Sequence, residues 1–256
     1  MPGDRTATLQ RVIATIQRRW GERALHILGQ SSSSPTAPAI STGFAALDQA
    51  LGIGGLPRAR MTELLGPPTS GKTTLALRML AQAQQQGDRV GFVDLPTTFD
   101  PEYAVWCGVD LATLLLVRPP AITDAPDLIL ALLASGGLGA LVVDDLMALL
   151  QVPNGMQLLD RTMRGLPRIL ARSPCALVML TALPYRAEAL RTIGYHGSAL
   201  AHVAAIRLHI ARASWCDDPP LALGWHARVT VLKHLHAPPG AEAQITIAFA
   251  EHGSIP

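Results

Sequence analysis

Three features of the sequence point to an α/β domain. Short aliphatic runs alternate with helical stretches, a complete glycine-rich phosphate loop joins one run to the next helix, and the tail alternates apolar and polar residues. Together they predict a mostly parallel, twisted sheet flanked by helices, with antiparallel strands at its C-terminal edge.

Composition bounds the answer. The chain has 256 residues, 49% hydrophobic and 16% charged, so it holds material for one sizeable core and does not read as disordered. Aromatics make up only 4%, so that core is aliphatic. A net charge of +2 marks no nucleic-acid binder unless the charge clusters. Three scattered cysteines, Cys107, Cys175 and Cys216, argue against a disulfide framework or a zinc site and fit a reducing cytoplasm. The N-terminus lacks the apolar run of a signal peptide, and the runs at 128–133 and 141–150 are too short or too charged to span a bilayer. The expected setting is soluble and cytoplasmic, with no membrane association.

The elements follow in order. Residues 8–28 read as a helix, because Leu9, Val12, Ile13, Ile16 and Trp20 recur at spacings of three and four. That helix either packs on its own domain or docks on a neighbouring subunit as an oligomerisation arm. Residues 29–38 crowd Ser and Pro without periodicity and read as a flexible linker. The core spans 39–256. Strands are expected at 61–66, 89–95, 111–117, 140–143 and 176–181, with helices at 73–86, 126–134 and 156–171 between them. The runs AIRLHIARA, HARVTVLKHL and AQITIAFA supply the antiparallel edge.

The strongest motif is Gly66, Pro67, Pro68, Thr69, Ser70, Gly71, Lys72 and Thr73, followed by Thr74, which fits G-x-x-x-x-G-K-[ST] in full. Glycines let the backbone curl so that successive N–H groups face phosphate oxygens, and the helix that starts there favours anions. Lys72 places a point charge on the β- and γ-phosphates, and the Thr73 hydroxyl is positioned to ligate Mg²⁺. An aliphatic strand, Leu141-Val-Val, ends at Asp144, a metal-orienting position opposite Thr73. Asp145 reads either as a base that polarises water or as a helix N-cap, with the cap favoured.

These residues carry a family resemblance. The chain resembles bacterial RecA recombinases through Ser41-Thr42-Gly43, Leu47-Asp48, Ala50-Leu51-Gly52, Gly54-Gly55-Leu56-Pro57, Glu63, the phosphate loop, Asp94, Asp100-Pro101, Tyr103-Ala104 and Gly108-Val109-Asp110. The likeness continues through Val142-Val143-Asp144, Ala199-Leu200, Arg207-Leu208, Arg228-Val229, Lys233 and Ala237-Pro238. It implies a RecA-type P-loop ATPase core that takes ATP and Mg²⁺. Asp100 and Tyr103 fall where the family contacts adenine, and Lys233 where a lysine reaches across the subunit interface to ATP. The N-terminal helix would dock on the next subunit and build a head-to-tail filament. Single-stranded DNA would bind loops near 151–157 and 183–198.

Departures from the family matter as much. Its catalytic glutamate falls at Pro96, and its switch glutamine at Ala182, after Thr181 in place of an asparagine. A second interface lysine falls at Leu235 and an interface phenylalanine at His202. The expectation is a core without the family's C-terminal regulatory domain. The resemblance therefore implies retained ATP binding with weak hydrolysis, in which Lys72 and Asp145 are the candidate catalytic groups.

Charge does cluster. Arg161, Arg164, Arg168 and Arg172 fall three or four apart on one predicted helix, which Gly165 and Pro167 are expected to interrupt. Arg186, Arg191, Tyr195 and Gly197 lie in the second loop region. These eight are the candidate DNA contacts, with Tyr185 as a further stacking candidate; the alternative is a solvated helix face with ordinary loop residues. His234 and His236 share a strand face but lack a third ligand, so they read as surface residues. Cys107 beside Trp106 reads as core.

Two functions fit. One is an ATP-binding protein that assembles on single-stranded DNA in recombination and repair. The other resembles the non-hydrolysing adaptors of the ImuA type, which act in the DNA damage and SOS response through a repair protein partner. Nothing resembles the acceptor lid of a small-molecule kinase.

Overall fold

The computed structural model describes residues 2–21, 38–183, 199–216 and 224–248. The chain divides into two compact units, Met1–Thr36 and Ala37–Pro256.

The first unit contains helix α1, Pro2–Trp20. It starts earlier than expected, and at its described end Gly21 adopts φ 88° while its amide donates back to the Gln17 carbonyl. A left-handed glycine closing the last turn is a helix stop. Leu9, Val12 and Trp20 on α1 are exposed. Residues 22–37, which hold the rest of the expected helix and nearly all of the linker, lie outside the described residues.

The second unit is built on one sheet. Its strands are β3 (Met61–Gly66), β4 (Val90–Asp94), β5 (Leu114–Val117), β6 (Ala140–Asp144), β7 (Ala176–Ala182), β8 (Ile206–Trp215), β9 (Gly224–His234) and β10 (Glu242–Ala248). A two-residue antiparallel pair, β1 (Ala39–Ile40) with β2 (Leu56–Pro57), precedes them. The sheet order is β10-β9-β8-β3-β7-β6-β4-β5. Strands β3 to β8 pair in parallel, and β9 and β10 add antiparallel at one edge, as expected for them; β8, expected within that antiparallel edge, instead pairs parallel to β3 and antiparallel only to β9. Strand β5 is shorter than the expected 111–117. Asp110 draws the preceding residues into a turn, accepting from the Ala112 amide and the Thr113 hydroxyl.

Both faces are covered, which is why the central strands are unbroken aliphatic runs. One face packs against α2 (Ala45–Leu51) and α3 (Lys72–Gln85), with Leu64, Leu75, Phe92, Val142, Val178 and Leu208 buried in it. The other packs against α5 (Ala125–Ala134), α6 (Gly155–Leu170) and α7 (Ala199–Val203), with Met61, Val93, Leu141, Val143, Leu177 and Met179. Helix α4 (Pro101–Trp106) follows β4, and Asp100 caps it by accepting from the Glu102 and Tyr103 amides.

Helix α6 runs unbroken through Gly165 and Pro167, against the expected interruption. It buries Leu159, Met163, Leu166 and Leu170 on one face, so packing holds it through the proline. One polar cluster crosses the sheet interior. Arg207 on β8 pairs with Glu63 on β3 at 2.6 Å, and the Thr181 hydroxyl on β7 donates to Glu63 Oε1 at 3.0 Å.

Candidate nucleotide site

The phosphate loop lies between β3 and α3, at the carboxyl end of the sheet. Two glycines in it are sterically required. A Cβ on Gly66 would strike the Ile210 carbonyl of the adjoining strand β8 and crowd Ser70 Oγ. Gly71 has φ 101°, and a Cβ there would overlap the Ile247 side chain of β10. Gly71 also stands at the N-cap of α3 and makes no side-chain cap bond, which suits the helix start to an anion.

Lys72 is buried and folds back over the loop. Its Nζ donates to the carbonyls of Gly66 at 2.7 Å and Pro67 at 2.8 Å. Burial lowers its ammonium to about 8, against the pull of Asp144 and Asp145. Asp144 ends β6, where it pairs in register with Asp94 ending β4. Burial and the charges of Asp145 and Asp94 push Asp144 up to about 6, while Lys72 pulls the other way. Asp94 is itself buried. It accepts from the Thr98 and Phe99 amides and from Arg118 Nε at 2.9 Å, so its role is to hold the turn after β4.

Thr73 is exposed at the mouth of the loop, and Asp144 is half-buried. A hydroxyl, a carboxylate and phosphate oxygens are the hard donors that Mg²⁺ takes, so the donor set fits that ion. No group of three or more His, Cys, Asp and Glu among the described residues is arranged to hold a metal without a ligand's help.

Asp145 departs from the favoured reading. It occupies the N-cap position of a 3-10 turn, Leu146–Gln151, but its side chain makes no capping bond, and its backbone is left-handed at φ 49°. Pro96 sits exposed in the turn after Asp94 and carries no group that activates water.

Tyr103 lies beside the loop. Its hydroxyl is 2.6 Å from Thr74 Oγ1, and its ring stacks on Trp106 at 5.3 Å. Cys107 is buried behind it with its thiol pushed up to about 11, which makes it a core residue, as expected. Lys233 is elsewhere: its Nζ donates to the carbonyls of Ala201 and His202 at the end of α7, near Met61 at the opposite end of β3 from the loop.

Arg161, Arg164, Arg168 and Arg172 are all exposed along or just beyond the outer face of α6, where Arg164 pairs loosely with Asp160 at 4.0 Å. Arg186, Arg191, Tyr195 and Gly197, with Tyr185, lie outside the described residues. His236 donates its amide to His234 Nδ1, and no third metal ligand joins the pair among the described residues.

Strands β8, β9 and β10 add residues that sequence reasoning missed. Arg212 on β8 donates to Thr69 Oγ1 at 2.9 Å. Trp225 and Ile247 on β9 and β10 close on Gly71. No local signal announces them, because register across three strands brings them to the loop.

Known proteins bear the same stamp. A family model described as the RecA N-terminal domain matches residues 7–254. Protein RecA of Blastochloris viridis is 35% identical over 267 residues, covering 97% of this chain and 76% of the relative. This chain belongs to the RecA family. Protein RecA of Methylobacterium radiotolerans is 34% identical, covering 97% of this chain and 72% of its own length. A crystal structure of the RadB recombinase shares the fold, with a TM-score of 0.65 at 22% identity over 82% of this chain and 96% of that one. No helix among the described residues is long and apolar enough to cross a membrane.

Proposed function

We propose that this RecA-family protein binds Mg-ATP at the phosphate loop, assembles head-to-tail on single-stranded DNA in its presence, and serves recombination and repair in the cytoplasm with weak hydrolysis. The observation that carries this reading is the loop itself: a buried Lys72 over a curled backbone, at the uncapped start of α3, facing Asp144.

Entering phosphates take over the Lys72 ammonium from the Gly66 and Pro67 carbonyls, and the α3 amides receive their oxygens. Thr73 and Asp144 would hold Mg²⁺, which supplies charge neutralisation between phosphate oxygens. Tyr103 and Asp100 border the base side of the site. With Pro96 in the glutamate's place, loss of the water-activating group lowers turnover by ~10²–10⁴-fold, leaving the Asp145 carboxylate as the candidate substitute.

Lys233 cannot serve its own loop from the far end of the sheet, which favours a role toward the phosphates of a second subunit. The arginines on α6 offer sequence-independent backbone contacts. The adaptor reading is not favoured, because a pure adaptor has no use for the loop's steric and charge design.

The test is anisotropy of a labelled single-stranded oligonucleotide with and without Mg-ATP, repeated with Lys72→Ala. The reading expects ATP-dependent binding that the variant loses. Absence of binding at low salt in either state would overturn the DNA assembly.

A further inference from the structure

The phosphate loop contains a strained residue. Thr69 has φ 58°, a left-handed conformation that β-branched side chains rarely adopt. Strain of this kind persists only where the surroundings hold it. At Thr69 the holder is Arg212, whose Nη2 donates to Thr69 Oγ1 at 2.9 Å and reaches the Thr69 carbonyl at 3.4 Å.

Arg212 is itself held. Its guanidinium lies 4.7 Å from the ring centre of Trp215 and 5.7 Å from that of Trp225. A planar cation over indole faces is attracted by the ring quadrupole and loses rotamer freedom. Trp225 and Ile247 also press on Gly71, two residues along the loop. Strand β8 thus holds the loop at Thr69 through Arg212 and passes against Gly66, while β9 and β10 close on Gly71.

We infer that Arg212 is a positioning residue of the nucleotide site. It acts through Thr69, keeping the loop curled before phosphate arrives, and Trp215 and Trp225 keep Arg212 in place. A loop ordered in advance spares the ligand that ordering cost, so the effect appears as affinity. The inference rests on the reading of this loop as the ATP site.

The experiment is calorimetric titration of Mg-ATP into the full chain, with thermal unfolding measured alongside. Arg212→Ala weakens binding roughly five- to tenfold, the size of one partly exposed charge-assisted hydrogen bond. Arg212→Lys recovers part of that loss, since an ammonium supplies one donor but no planar fork. Thr69→Val removes the acceptor while keeping the branched shape, and weakens binding about threefold. The double variant Arg212→Ala/Thr69→Val binds no more weakly than Arg212→Ala alone, because both remove the same contact. A merely structural arginine would lower the melting temperature without this coupling in affinity.

Affinities within twofold of wild type for both Arg212→Ala and Thr69→Val, or fully additive losses, would overturn the inference. Should Arg212→Ala fail to fold, Thr69→Val alone decides it. A folded wild type that binds no Mg-ATP refutes the nucleotide reading itself, and the inference with it.

Discussion

Replacing Arg207 by Met tests the energetic account of the sheet. Arg207 and Glu63 are 6% and 2% exposed at their side chains and meet at 2.6 Å between neighbouring strands. The substitution keeps most of the side-chain volume and leaves the Glu63 carboxylate buried with the Thr181 hydroxyl but without its cation. Removing one partner of a buried pair costs about 3–5 kcal/mol. Against a total stability of roughly 5–15 kcal/mol that is a large fraction. With a urea m-value near the upper end of the usual range, about 2–3 kcal/mol/M, the unfolding midpoint falls by roughly 1–2.5 M. Adding Glu63→Met restores stability to within about 1 kcal/mol of wild type, since a well-packed apolar pair replaces a desolvated ionic one. Urea titrations followed by far-UV circular dichroism read both. A loss below about 1 kcal/mol for Arg207→Met, or a double variant as unstable as the sum of the singles, would refute the reasoning.

Four further outcomes follow from the nucleotide site and the arginines of α6. Lys72 is lowered from 10.5 to about 8, and phosphate favours its ammonium, so Mg-ATP affinity is flat below about pH 8 and falls by up to tenfold per pH unit above it. Stability of the free protein has the opposite sign: the unfolded chain holds that proton more tightly, so stability rises as pH climbs from about 8 to 10.5, and paired titration and unfolding series separate the two. Gly71→Ala drives a methyl into Ile247 at a left-handed position, and equilibrium titration should find Mg-ATP binding weakened at least tenfold. Changing Arg161, Arg164, Arg168 and Arg172 together to Ala lowers the slope of log affinity against log salt for a single-stranded oligonucleotide by up to about 3, at unchanged melting temperature, as four lost phosphate contacts require.

Sequence and structure agree where information is local. The phosphate loop was legible because its eight positions lie side by side, and β3, β4, β6 and β7 because burial on both faces demands aliphatic runs. Helix α2 was not, since its start depends on Asp48 folding back to the Ser41 and Thr42 hydroxyls rather than on periodicity. The apparent cap at Asp145 failed because a strained αL residue cannot aim its carboxylate at the next turn's amides. Arg212, Trp225 and Ile247 were illegible for another reason. They reach the loop only through the register of β8, β9 and β10, which no short stretch of chain encodes.

The most direct measurement is equilibrium binding of Mg-ATP to the full chain by isothermal titration, with Lys72→Ala as the control. The account predicts saturable binding, one nucleotide per chain, that the variant loses by about a hundredfold or more while remaining folded, since a buried charge-assisted contact disappears. Absence of binding to folded wild type, or equal binding by wild type and variant, would contradict it.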